Sequence, residues 1–146
     1  MTKTMTRLFC AAAVAAGVAF VSTTSVFAHG DVTPQPIETK GLAPLGKEWR
    51  KTNPYTGNAK AIEIGASGYN QNCARCHGLQ VISGGIAPDL RYLEKGPTGD
   101  EWFLARIRNG AKKQDGTTIM PAFERVFKQE AMWAIRAYLE SVHVEQ

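Results

Sequence analysis

The chain has 146 residues, 44% hydrophobic and 21% charged, with 17 Lys and Arg against 13 Asp and Glu for a formal net charge of +4. A surplus that small, with no Lys/Arg cluster, argues against nucleic acid as a partner. The length suits one compact domain rather than two.

The chain opens on Lys3 and Arg7, runs through an apolar, alanine-rich stretch over residues 8–21, and reaches Val26-Phe27-Ala28. That order predicts a secretory signal peptide over residues 1–28 and a periplasmic mature protein. A membrane span wants about 20 apolar residues, and no later stretch approaches that length, so no span is expected after cleavage. A retained signal anchor is the competing reading. Cys10 follows Phe9, where a lipoprotein signal needs a small side chain, and it is expected to leave with the signal. Taking 28 residues from 146 leaves 118, and losing Lys3 and Arg7 leaves 15 basic against 13 acidic side chains. A surplus of two identifies no partner.

Residues 29–57 contain Pro34, Pro36, Pro44 and Pro54 without sustained periodicity, and read as an irregular N-terminal arm pinned to the body by Trp49 and Tyr55. His29, at its start, gives too little to assign a role. The domain proper is expected over residues 58–146. A first helix is expected over residues 58–72, with Asn58 as N-cap and Ile62, Gly65, Ala66 and Tyr69 on one face. Residues 78–95, broken by Gly84-Gly85 and Pro88, should be loop. A second helix is expected from a capping box at Thr98-Gly99-Asp100-Glu101, carrying Trp102, Phe103 and Ile107 to a stop at Asn109-Gly110. The last, over about residues 128–142, has the clearest stripe: Ala131, Ala134, Ile135, Tyr138, Leu139, Val142. No segment alternates with period two, so the expected fold is all-α, short helices joined by long loops. Such a fold has too little apolar side chain to fill its centre without a cofactor.

Cys73-Ala74-Arg75-Cys76-His77 is a C-x-x-C-H haem attachment sequence. Two thiols one helical turn apart can add across the two vinyl groups of a haem, which puts the next imidazole under the iron. Zinc would need two further ligands, and a redox dithiol would follow a strand in an α/β pattern; neither is present in the sequence. One covalently bound haem c is therefore expected, with Cys73, Cys76 and His77 holding it.

The sixth iron position separates a carrier from a haem enzyme or gas sensor. Met120, in Thr118-Ile119-Met120-Pro121, lies where a loop can fold over the far haem face, stiffened by Pro121. Met132 lies inside the last helix and reads as core filler. His143 reads as a solvated cation at a helix end. His77 and Met120 are thus the expected metal ligands, and a methionine there raises the potential and closes the iron to small ligands.

With these residues in place, residues 58–146 resemble class I cytochrome c. In that family a glycine and an aromatic at the positions of Gly65 and Tyr69 pack against the C-terminal helix, and a proline placed as Pro88 offers its carbonyl to the proximal histidine's ring N–H, fixing the imidazole. More narrowly, Leu45-Gly46-Lys47-Glu48-Trp49-Arg50, Asn53-Pro54-Tyr55, Tyr69 through Leu79 and Ser83 through Arg91 are similar to the periplasmic cytochromes that serve PQQ-dependent ethanol dehydrogenases. The resemblance implies an electron carrier, not an enzyme, taking electrons from such an alcohol dehydrogenase and passing them to a downstream cytochrome or terminal oxidase. Another donor, such as methanol dehydrogenase, remains open. Arg91 and Trp102 are candidates to hydrogen-bond the haem propionates, against surface solvation and core packing. Arg75 either steers an acidic partner or is solvated.

Overall fold

The structure, a computed structural model, describes residues 33–145; the expected signal segment, Cys10 and His29 lie outside the described residues. Four helices, α1 (Ala59–Asn72), α2 (Ala74–His77), α3 (Pro97–Asn109) and α4 (Gln129–Ser141), are joined by loops and two 3-10 turns, Leu79–Val81 and Leu90–Tyr92. No helix among the described residues is long and apolar enough to cross a membrane.

The start of α1 is where Asn58 places it: the side-chain oxygen accepts from the Ala61 N–H at 3.0 Å, satisfying one of the free donors of the first turn. Its buried face is Ala61, Gly65, Gly68 and Tyr69. This face packs on α4, and at Gly65 the helices come so close that a Cβ would collide with the Ala134 carbonyl. Tyr69 meets Tyr138 there, ring centroids 5.5 Å apart.

Of the α4 stripe, Ala131, Ala134, Ile135 and Leu139 are buried and Tyr138 and Val142 half-buried, while Gln129, Arg136 and Glu140 are buried as well. A residue off the apolar stripe normally faces water; here α3 and the arm close over that side. Arg136, fully buried, donates from Nε to Asp100 Oδ1 at 2.7 Å and from Nη2 to the Glu94 carbonyl at 2.6 Å. Asn53 completes the cluster, its N–H on Asp100 (2.8 Å) and its Nδ2 on Glu140 (3.1 Å).

The predicted capping box at the start of α3 is therefore not made. Pro97 opens the helix behind Gly96, no side chain caps it, and Asp100 turns inward to neutralise Arg136. The helix stops at Gly110 as expected, at φ 69°. His143 also departs from expectation. Its side chain is only 9% exposed, with Nε2 3.2 Å from Glu145, because the tail folds back so that the Val144 N–H reaches the Arg91 carbonyl.

The arm is irregular and tied to α4. Gln129 donates to the carbonyls of Gly46 (2.8 Å) and Glu48 (3.0 Å), Glu130 accepts from the Leu45 N–H (2.8 Å), and Tyr55 is buried with its hydroxyl donating to the Ala43 carbonyl. The fold is mostly helical, as expected, with one small strand pairing among the described residues. Strand β1 (Ala111–Lys112) pairs antiparallel with β2 (Thr118–Met120), a ribbon too short to show a period of two in the sequence.

Candidate functional site

The C-x-x-C-H residues span the junction of α1 and α2. Cys73 ends α1, its N–H bonded to the Tyr69 carbonyl, and the His77 N–H bonds the Cys73 carbonyl, so one turn of α2 sets the two sulfurs and the imidazole on one wall. The thiols form no disulfide. Burial pushes the Cys73 thiol up to about 12, so the unmodified thiol stays protonated in its apolar surroundings. Among the described residues no three His, Cys, Asp or Glu side chains gather as a metal-holding group.

His77 Nδ1 lies 2.8 Å from the Pro88 carbonyl oxygen. With Nδ1–H donating, the lone pair of Nε2 is left for a metal. The loop that presents Pro88 is organised by Asp89. Its carboxylate accepts from the Ser83 N–H (3.3 Å), the Arg91 N–H (3.0 Å) and the Arg91 guanidinium (3.0 and 2.8 Å), and these hydrogen bonds, Arg91 foremost, hold its pKa down to about 2. On the other side of Pro88, Ser83 Oγ donates to the Ala87 carbonyl at 2.5 Å.

The turn after His77 carries strain. Gln80 and Val81 sit at φ 54° and 66°, a region that a β-branched residue rarely enters. Complete burial of Val81 holds the turn, and Tyr69 ties α1 to it by donating to the Gly78 carbonyl at 2.9 Å.

Met120 is the last residue of β2. Its backbone pairs with Ala111 and packs so tightly on Gly110 that a Cβ there would strike the Met120 carbonyl; downstream, the Phe123 N–H bonds the Ile107 carbonyl at 2.9 Å. The end of α3 thus holds the Met120 loop on both sides. A largely apolar cavity of about 310 Å³ is lined by Cys73, Cys76 and His77 together with Met120, Pro121 and Phe123, and a second void of about 40 Å³ is lined by Tyr69, Ile135 and Leu139 among others.

This cavity fits a haem. Cys73, Cys76, His77 and Met120 all line it, and the apolar lining suits the flat macrocycle. Trp102 and Arg106 line both voids, the Arg106 guanidinium 5.6 Å from the Trp102 ring centre. Arg91, expected as a candidate to hydrogen-bond a propionate, does not line the cavity; its fork closes on Asp89 instead. Sequence reasoning missed Arg106, although it lies four residues after Trp102 and so on the same helix face. Met132 is fully buried in the core, and His143 does not line the cavity.

The sequence profile of the family described as "Cytochrome C oxidase, cbb3-type, subunit III" matches residues 60–139. A cytochrome c550 of Pseudomonas aeruginosa is 63% identical over 82% of this chain and 84% of its own length. A quinohemoprotein alcohol dehydrogenase, ADH-IIG of Pseudomonas putida, is 38% identical over 61% of this chain, but the match spans only 12% of that protein. The crystal structure of cytochrome cL from Methylophaga aminisulfidivorans matches the fold at a TM-score of 0.52 and 19% identity, covering 73% of this chain and 74% of the other. The chain belongs to the class I c-type cytochromes. It is a monohaem electron carrier with covalently bound haem c, and not an enzyme.

Proposed function

We propose that the chain is a periplasmic carrier that takes single electrons from a PQQ-dependent alcohol dehydrogenase and delivers them to a downstream cytochrome or terminal oxidase, with residues 1–28 as a cleaved signal and residues 29–57 as an arm on the cytochrome domain at 58–146. The observation that carries the donor assignment is the similarity to a protein whose name joins a quinone, a haem and alcohol oxidation. The haem supplies the one-electron chemistry when bound.

In this reading His77 and Met120 are the axial ligands and Cys73 and Cys76 the points of attachment. Pro88 orients the imidazole through its carbonyl, and Asp89 with Arg91 sets that loop. Trp102 and Arg106 serve the propionates, because theirs is the cationic and aromatic rim of a cavity otherwise apolar. Leu79, Ile86 and Ile119 are 72%, 78% and 57% exposed, and Ile86 and Ile119 border the cavity. An exposed apolar border at a redox centre suits a small, short-lived encounter interface.

The test is to mix the ferric protein with a PQQ-dependent ethanol dehydrogenase and ethanol, and to follow haem reduction by stopped-flow absorbance. Fast reduction that saturates with dehydrogenase concentration supports the assignment. Slow reduction with a methionine-ligated spectrum moves the donor to another dehydrogenase, such as methanol dehydrogenase. A spectrum without methionine ligation, with carbon monoxide binding to the ferrous protein, restores the haem enzyme or gas sensor.

A further inference from the structure

We propose that Trp49 and Arg108 form a clamp through which the N-terminal arm holds the Met120 loop closed over its side of the cavity; the proposal rests on the reading of Met120 as an axial ligand. Arg108 stands where three parts of the chain meet. It belongs to the last turn of α3, its guanidinium lies 4.2 Å from the centre of the Trp49 ring in the arm, and its Nη2 donates to Glu124 Oε1 at 2.5 Å. Glu124 is four residues past Met120 and next to Phe123, whose N–H is bonded to Ile107 on the same turn of α3.

The geometry makes Arg108 more than a surface cation. Its Nε is buried without a hydrogen-bond partner among the described residues, so the guanidinium is partly desolvated against the indole, the condition in which a cation–π contact is strongest. Trp49 is itself held, because Gln129 fixes the carbonyls of Gly46 and Glu48 and accepts from the Arg50 N–H at 3.3 Å. The indole therefore fixes the guanidinium, and the guanidinium fixes the carboxylate that ends the Met120 loop. Upstream, the Gly110 and Ala111 contacts restrain the loop from α3 alone. Downstream restraint is shared with the arm. Trp49, Arg108 and Glu124 are positioning residues: none lines the cavity. If Met120 leaves the iron in a minor open state, loosening this clamp raises the population of that state, and any exogenous ligand that binds only the open state gains apparent affinity by the same factor.

The experiment titrates imidazole into the haem-loaded ferric protein and follows loss of the methionine-to-iron charge-transfer band, alongside thermal unfolding by far-UV circular dichroism. The expected result is a rise in imidazole affinity of about tenfold for Trp49→Ala and of several-fold for Glu124→Gln. Trp49→Phe, which keeps an aromatic face, stays near the parent protein. The double variant Trp49→Ala/Glu124→Gln gains no more than the larger single change, because both act through Arg108. An unchanged affinity in Trp49→Ala and Glu124→Gln, with the band intact, overturns the clamp and leaves the Met120 reading standing. A band already absent from the parent protein overturns that reading and the clamp with it.

Discussion

Asp89 organises the loop beneath His77 without touching the haem cavity. Its carboxyl is held at about 2 in the folded chain, chiefly by the Arg91 guanidinium, against an ordinary value of about 3.9. A folded pKa below the unfolded one contributes stability that is full above about pH 4 and disappears as pH falls through about 2. Asp89→Asn should therefore lower the denaturant midpoint at pH 7, and the difference from the parent protein should vanish near pH 2 in parallel urea titrations. Arg106 makes a different prediction: a cation beside the haem disfavours the more positive ferric state, so Arg106→Gln should lower the reduction potential by about 40 mV in a redox titration, while Arg91→Gln should change it far less. At this scale the sequence is legible where the chemistry is local. Cys73, Cys76 and His77 are a motif, and Met120 is marked by Pro121. Arg106 and Asp89 were not found, because one shares its surroundings with other arginines and the other acts only once the turn at residues 83–91 has closed.

Among the elements, the crossing of α1 over α4 is the most demanding contact. A Cβ at Gly65 would overlap the Ala134 carbonyl, and main chain cannot swing aside as a side chain can. Gly65→Ala should cost about 3 kcal/mol by chemical denaturation, with α1 displaced rather than unwound, since alanine favours the helix itself. The α1 N-cap and the α4 stripe were legible because capping and periodicity are written within a dozen residues. The inward turn of Asp100 was not. Thr98-Gly99-Asp100-Glu101 has the composition of a cap, and only the burial of Arg136, 36 residues away, gives the carboxylate a stronger partner than its own helix. Arg136 and Glu140 were hidden for the same reason: polar residues off an apolar stripe read as a wet face until a second layer covers them.

For the whole molecule, the exposed apolar border and the weak net charge belong together. The full chain carries a surplus of four basic side chains, and the proposed signal cleavage would leave two, too small a field to dominate association. Electron uptake from the proposed dehydrogenase donor should respond only mildly to ionic strength, whereas Leu79→Asp, at an exposed position off the cavity lining, should slow it about tenfold with little change in reduction potential, as read by stopped-flow and redox titration. The arm has a consequence of another kind. Leu45 bonds a residue 85 positions away and Asn53 one 87 positions away, so this stretch of the arm completes its contacts only when α4 exists, whereas Gln35 already meets Asn72 at the end of α1. Contacts that distant are slow to close, and these cannot form before α4 is made. The stretch from Leu45 to Asn53 is thus made early and fixed late, and its docking on α4 marks the point at which a growing or threading chain becomes a finished protein.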